Sequence, residues 1–412
     1  MKRVLFIAYH FPPLAGAGTF RSLKFIKYLP EFGWLPTVLT TNTKNYWAYD
    51  ESLLDEIPKE VKIIRASEFD PFYLQILLSK VGLSKLYQKI KDRFLIPDEK
   101  IGWIPFAYYK AVKELKKQKY DLIFSTSPTP CAHIIAMKLK KRFGIPWICD
   151  IRDYWISHFT YQYSGSSRER QEQNIEKSFF KFANHISTVS QGVKKEFSIA
   201  YPHTLISAIT NGFDTENNLS ISTKLKFRIL YAGSFYGHYN PSNFLLAIKQ
   251  SAQENLYLNK SLDLIFIGNY PQNIIDMFQS YQKYFSIDFK QFKSPIELEK
   301  EFLTASVLLV ILPGEDHYKA YLPAKLFTYL AKHLPILALI PDGEAKVILE
   351  KSNLGFFADP GSVASIKNEL LRIFNLWKSN RLQVEPNIEY IQQFHRRNLT
   401  KQLASILNSM VN

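Results

Sequence analysis

The sequence predicts an α/β protein of two Rossmann-like, doubly wound domains facing across a cleft. Three observations lead there. Short, near-continuous apolar runs alternate with helix-length amphipathic stretches, as parallel strands buried on both faces and their crossover helices require. One polar segment interrupts that alternation, which then restarts. The length, 412 residues, exceeds one ordinary core and suits two domains of about 200 residues each.

In the first half, strands are expected at Arg3–Ala8, Thr37–Thr40, Val61–Arg65, Asp121–Thr126, Trp147–Ile151, His185–Ser190 and Leu205–Thr210. Helices are expected at Pro105–Gln118 and Pro130–Phe143, among others. Residues 1–210 thus read as an N-terminal domain. The segment "NGFDTENNLSISTKLK" (211–226) has turn residues, little apolar content and no periodicity, and reads as a hinge. Strands then recur at Phe227–Ala232, Leu262–Gly268, Phe285–Phe289, Ser306–Leu312, Pro335–Leu339 and Gly355–Ala358, giving a second domain over 227–385. Residues 386–412 carry a final helix, about Ile388–Leu407, expected to cross back to the first domain.

Composition narrows the class. A hydrophobic content of 46% and an aromatic content of 15% exclude a disordered chain. Fifty-two Lys and Arg against 37 Asp and Glu give a net charge of +15, which attracts nucleic acid, an anionic membrane surface or phosphorylated small molecules. No familiar nucleic-acid-binding signature occurs, so no nucleic-acid partner is expected. Two cysteines, Cys131 and Cys149, lack metal-ligand spacing and point to a reduced, cytosolic compartment. The N-terminal apolar run, Val4–Ala8, is closed by His10, Pro12 and Pro13 and reads as a strand rather than a signal peptide. No run approaches the ~18 apolar residues of a membrane span. The stretch Phe72–Phe94, "FYLQILLSKVGLSKLYQKIKDRF", is basic and aromatic at helical spacing. It is either a patch resting on anionic lipid or a helical insertion whose apolar face packs on the sheet.

Four stretches carry candidate chemistry. In "YHFPPLAGAGTFR", Gly16 and Gly18 let backbone approach a ligand at a helix N-terminus, with Arg21 in the first turn, or they simply permit a tight turn. In "PWICDIRDYW", a buried strand delivers Asp150, Arg152 and Asp153 to its carboxyl end, where open α/β sheets bind ligands. A carboxylate there can hold a sugar hydroxyl or accept a proton from an attacking alcohol, or it can form an internal Arg–Asp pair. In "LYAGSFYGHYNP", Gly233 and Gly237 flank a loop able to present N–H groups to phosphate. In "YLPAKLFTYLAKHLPIL", Pro323 suits a first helical turn and Lys325 lies within it. A cation there opposes the helix dipole, and a bound diphosphate reverses that sign.

Taken in order, these stretches with "IPDEKIGW", "ISTVSQGV", "ITNGFD" and "FHRRNLTKQLASIL" resemble bacterial glycosyltransferases of the GT-B fold, in particular family 4 of retaining enzymes. The resemblance implies transfer of a sugar from a nucleotide-diphosphate donor, without metal or other cofactor, to a glycan or lipid-linked acceptor in surface polysaccharide or lipopolysaccharide synthesis. It implies catalytic roles for Asp150, Arg152 and Asp153. Donor contacts fall on Gly16, Gly18, Arg21, Gly233, Ser234, Lys325, Leu326 and Thr328. It also implies a cytoplasmic protein resting on the inner face of the cell membrane through Phe72–Phe94. The sequence departs from the family at two positions: Ala320 and Thr328 stand where relatives usually carry glutamates, the second of which holds the ribose. Glu315 and Asp316, just upstream, are the candidate replacements. A nucleotide-sugar 2-epimerase or a non-catalytic partner of the same fold is the alternative.

Overall fold

The computed structural model describes residues 1–46, 48–156, 161, 163–214, 226–235, 239–291 and 295–411, the side chains of 17, 72–74, 295 and 296 excepted. The chain divides into two compact units, Met1–Thr210 with Arg396–Asn412, and Asn211–His395.

Unit 1 is built on one parallel sheet. Its strands are β1 (Lys2–Ile7), β2 (Trp34–Thr41), β3 (Lys62–Ala66), β4 (Leu122–Thr126), β5 (Trp147–Asp150), β6 (His185–Thr188) and β7 (Ile206–Ala208). They lie in the order β3-β2-β1-β4-β5-β6-β7, every neighbour parallel. The winding direction reverses between β1 and β4, the switch point where such sheets gather ligand groups. The connecting helices are α1 (Ala17–Tyr28), α2 (Phe72–Lys80), α3 (Ser84–Phe94), α4 (Ile104–Lys117), α5 (Pro130–Phe143), α6 (Ser167–Phe182) and α7 (Gln191–Ala200). Local chemistry sets their ends. Ser166 and Ser190 accept the N–H of Glu169 and Val193 as N-caps of α6 and α7, and Gly144 closes α5 in the left-handed region.

The basic aromatic stretch forms α2 and α3, joined at Gly82, which has φ +74°. Tyr87 turns inward, but Leu77, Val81, Leu83, Leu86 and Phe94 stay exposed, at 44–63% of their full surface. Much of its apolar surface therefore remains unburied.

Unit 2 repeats the scheme with β8 (Phe227–Ala232), β9 (Leu262–Ile267), β10 (Ser286–Lys290), β11 (Val307–Ile311), β12 (Ile336–Leu339) and β13 (Gly355–Ala358). The order is β10-β9-β8-β11-β12-β13, again all parallel. Side chains alternate between two dry faces. Ile229, Leu264, Leu309 and Leu337 enter one core, and Leu230, Ile265, Leu308 and Ile336 enter the other. Burial on both sides explains why the strands read as unbroken apolar runs. The helices are α8 (Ser242–Glu254), α9 (Leu256–Ser261), α10 (Gln272–Tyr281), α11 (Pro295–Phe302), α12 (Ala324–Leu330), α13 (Glu344–Lys351), α14 (Val363–Lys378) and α15 (Ile388–Gln392).

The last helix, α16 (Arg396–Ser409), groups with unit 1. Leu399, Leu403 and Leu407 recur every fourth residue and join the core formed by Phe25, Leu29 and Trp34. One long helix is expected from the sequence, but two are found. Between them the Phe213 N–H donates to the Phe394 carbonyl at 3.1 Å, and His395 forms a parallel bridge with Phe213. That extended pairing is incompatible with a continuous helical ladder. Residues 215–225 of the expected hinge lie outside the described residues.

Candidate active site

In unit 1 the first loop leaves β1 and enters α1 at Gly16, whose φ of +101° favours glycine. The Gly18 carbonyl accepts a hydrogen bond from Arg152 Nη1 at 2.8 Å. Arg21, one turn on, points into the protein. Its Nε donates to Asp150 Oδ2 at 3.0 Å, its Nη2 to Asp150 Oδ1 at 2.9 Å and its Nη1 to the Thr210 carbonyl at 2.9 Å. Thr126 Oγ1 adds a donor to Oδ2 at 2.7 Å and Ser187 Oγ one to Oδ1 at 2.6 Å. Asp150 has no exposed surface. Burial alone pushes its carboxyl up, but the Arg21 charge and these hydrogen bonds outweigh that and hold it below the usual carboxylate range.

Two expectations are corrected here. Asp150, read from sequence as a donor-sugar or catalytic residue, and Arg21, read as an anion ligand, consume each other in the interior. Four donors occupy the carboxylate, and nothing of it reaches a ligand. An internal Arg–Asp pair does exist, but its arginine is Arg21. Arg152 instead ties the end of β5 to neighbouring loops: its N–H donates to Ser127 Oγ at 2.9 Å and its guanidinium reaches the Gly18 carbonyl. Burial lowers its pKa. Asp153 is the exposed acid of the three.

Asp153 borders a cavity of about 430 Å³ at the carboxyl ends of β4 and β5. Ser127, Pro128, His133, Trp155, Glu176 and Phe179 also line it. The sequence reading missed the last four. A usable signal was present in α6, where Glu172, Glu176 and Phe179 recur at four and three residues and so share one helix face. His133 carried no signal, because "CAHIIAMK" reads as an ordinary buried helix.

In unit 2 the corresponding switch point lies between β8 and β11. Gly233 follows β8 with φ +142°, and its N–H donates to the Ile267 carbonyl at 2.8 Å. A Cβ at Gly233 would lie 2.6 Å from Lys325 Nζ, so only glycine lets the ammonium rest against this backbone. The same Nζ sits 3.5 Å from the Tyr231 ring centroid. Among the described residues no carboxylate pairs with Lys325, and burial pushes its pKa down to about 7. Ser234 follows Gly233 in sequence, its Oγ accepting the Asn269 N–H at 3.1 Å.

The other unit 2 expectations fare differently. Leu326 is corrected: its side chain is wholly buried in the core, and its N–H is taken by the Pro323 carbonyl at 3.0 Å. Thr328 is half-buried and, three residues after Lys325, lies on the same helix face. Ala320 is buried. Asp316 pairs with Lys319 at 2.7 Å, and Glu315 borders a separate recess of about 350 Å³ with Asn240, Asn243 and Pro360. Gly237 lies outside the described residues.

Two doubly wound parallel units, each with polar groups at the carboxyl ends of its strands, define a protein of the GT-B fold. Residues 23–217 match the family model described as Glycosyltransferase Family 4, and the fold is the one seen in solved GT-B structures. The same fold is seen in the sucrose-phosphate synthase of Thermosynechococcus elongatus, 13% identical, with 100% of this chain and 99% of that one covered and a TM-score of 0.66. HepE of Anabaena, solved with UDP and glucose, is 14% identical over 99% of this chain and 100% of its own, at a TM-score of 0.61. WaaG, described as a glycosyltransferase involved in lipopolysaccharide biosynthesis, is 15% identical over 98% and 99%, at 0.60. A search of curated proteins by sequence finds no match.

Proposed function

We propose that this protein is a glycosyltransferase that moves a sugar from a nucleoside-diphosphate donor to a glycan or lipid-linked acceptor of the bacterial surface, including lipopolysaccharide, with retained configuration and without a metal ion. The observation that carries the donor class is Lys325. A half-buried lysine whose ammonium rests against Gly233 and Tyr231, with no counter-charge among the described residues, suits an anion. The diphosphate supplies that charge, and Lys325 stabilises the negative charge that develops on it as the glycosidic bond breaks. HepE, of like fold, is solved with UDP-glucose. In this reading Gly233, Ser234 and Thr328 line the donor side, and Asp153 with the Gly16–Gly18 loop lines the acceptor side. Arg21, Arg152 and Asp150 position that loop.

No helix among the described residues is long and apolar enough to cross a membrane. The exposed apolar residues of α2 and α3, interleaved with exposed Lys80, Lys85 and Lys89, support peripheral contact with an anionic bilayer at its cytoplasmic face. Ala320 and Thr328, in place of the family's glutamates, favour a second reading, a non-catalytic relative of the fold.

A thermal-shift panel of nucleoside-diphosphate sugars, followed by turnover with the best binder, tests the first reading. A matching donor raises the melting temperature by preferential binding to the folded state. Lys325→Ala weakens that donor by at least about 30-fold, equivalent to the ~2 kcal/mol lower end for truncating one partner of a buried charge pair. Donor affinity unchanged in Lys325→Ala overturns the phosphate role; binding without turnover selects the second reading.

A further inference from the structure

The 430 Å³ cavity of unit 1 runs against the charge of the whole protein. In a chain of net charge +15, the described residues of its lining include Asp98, Asp153, Glu172 and Glu176 against one arginine, Arg168. That arginine is already committed. Its Nε donates to Glu172 Oε1 at 2.8 Å, and its terminal nitrogens donate to the carbonyls of Lys91 at 3.0 Å, Leu95 at 3.1 Å and Pro97 at 3.4 Å. An entering phosphate or carboxylate meets several acids and a guanidinium turned to other partners.

The cavity also holds a buried ring nitrogen without a partner among the described residues. Trp147 Nε1 can only donate, and it donates to Ser125 Oγ at 2.8 Å. Ser125 Oγ also hydrogen-bonds His133 Nδ1 at 2.8 Å. That bond engages Nδ1, so the ring can offer a further hydrogen bond only through Nε2. His133 is 2% exposed, its Nε2 has no partner among the described residues, and the residue lines the cavity. A buried polar nitrogen without a partner costs about 1–3 kcal/mol, which a ligand hydroxyl, able to donate or accept, relieves.

Aromatic rings supply the walls. Trp155 stacks on Phe179 with centroids 6.3 Å apart and planes at 20°, and the His133 ring meets Phe179 at 5.3 Å. Tyr154, Tyr161 and Tyr163 complete the lining. Flat apolar faces, acids able to accept hydroxyl hydrogens and an unpartnered imidazole nitrogen suit a molecule that is both polyhydroxylated and flat-faced.

We propose that this cavity recognises the acceptor through a sugar unit that carries no negative charge. Its ring packs against Trp155 and Phe179, its hydroxyls donate to Asp153 and Glu176, and one further hydroxyl hydrogen-bonds His133 Nε2. The acceptor role rests on the glycosyltransferase reading; the sugar chemistry rests on the cavity alone.

Saturation-transfer NMR on the full chain tests it, with methyl hexosides as neutral probes and glucuronic acid and glucose 6-phosphate as anionic ones. Neutral glycosides receive saturation and the anionic sugars do not. Trp155→Ala weakens glycoside binding about tenfold, the loss of roughly one aromatic face, and His133→Phe weakens it while keeping the ring volume. Trp155 is half-exposed, so its variant remains informative if His133→Phe folds poorly. Anionic sugars binding as well as neutral ones overturn the proposal, as does glycoside binding untouched by Trp155→Ala. Lys325→Ala separates the two readings, since it weakens donor binding and leaves the glycosides in place. A protein that binds donor but no glycoside refutes the cavity proposal alone. A protein that binds glycosides but no donor refutes the donor reading alone.

Discussion

Asp150→Ala separates a structural carboxylate from a catalytic one. In the folded protein Asp150 has no exposed surface and Arg21 has 6%, so truncation strands a guanidinium in the interior. Breaking a buried pair by removing one partner costs about 3–5 kcal/mol. The Thr126 and Ser187 hydroxyls lose an acceptor as well. Because the chain holds two units, a single melting curve is not a two-state measurement. Hydrogen exchange followed by peptide is the better assay, with peptides of β5 and α1 as reporters and those of unit 2 as internal control. Protection in β5 and α1 is expected to fall by roughly 150- to 5,000-fold, the equivalent of about 3–5 kcal/mol, and the control to stay fixed. Arg21→Met with Asp150→Ala recovers part of the loss, since no unpaired charge then remains. The folded-state pKa of Asp150 is depressed, so its contribution is present above the unfolded value and is lost as pH falls through the folded one. Full protection in Asp150→Ala together with abolished turnover would refute the argument and return the carboxylate to the substrate.

Four further outcomes are expected. Lys325 titrates near 7, so donor binding is strongest below that pH and takes up a proton as pH rises above it; calorimetry in buffers of different ionisation enthalpy measures the uptake, and its absence refutes the assignment. Burial raises Glu176 to about 7, so unit 1 binds more protons folded than unfolded between about pH 4.5 and 7 and loses stability across that window; Glu176→Gln flattens the slope in exchange measurements. Gly233→Ala forces a Cβ into the Lys325 ammonium at φ +142°, costing about 1–3 kcal/mol of strain and weakening the donor in parallel; unchanged donor affinity counts against the Gly233–Lys325 pairing. Reversing Lys80, Lys85 and Lys89 to glutamate lowers binding to phosphatidylserine vesicles in a sedimentation assay without altering donor binding, and equal sedimentation removes the membrane role.

Much of this was legible before any coordinates. Every expected strand is present with its ends within three residues, because parallel strands buried on both faces leave unbroken apolar runs such as "LLVIL". Lys325 and Gly233 were legible as well, since each sits beside a strong local signal, a proline at a helix start and a glycine at a strand end. Arg21 and Asp150 were individually visible, but their pairing joins residues 129 positions apart, and sequence spacing carries no information on such a choice. Leu326 was misread because α12 has only seven residues, too few for periodicity to fix which face is buried. His133 was silent because its chemistry depends on Ser125 and Trp147, partners drawn from two different strands.

The membership of α16 in unit 1 also sets an order of events during synthesis. The residues that finish the first core, Leu399, Leu403 and Leu407, leave the ribosome only after the whole of unit 2. At about 5–20 residues per second, the apolar ground around Phe25, Leu29 and Trp34 waits roughly 10–40 s for its cover. Unit 2, continuous in sequence, has no such wait. The nascent chain therefore completes its second half first, and the opening half is the natural client of a chaperone.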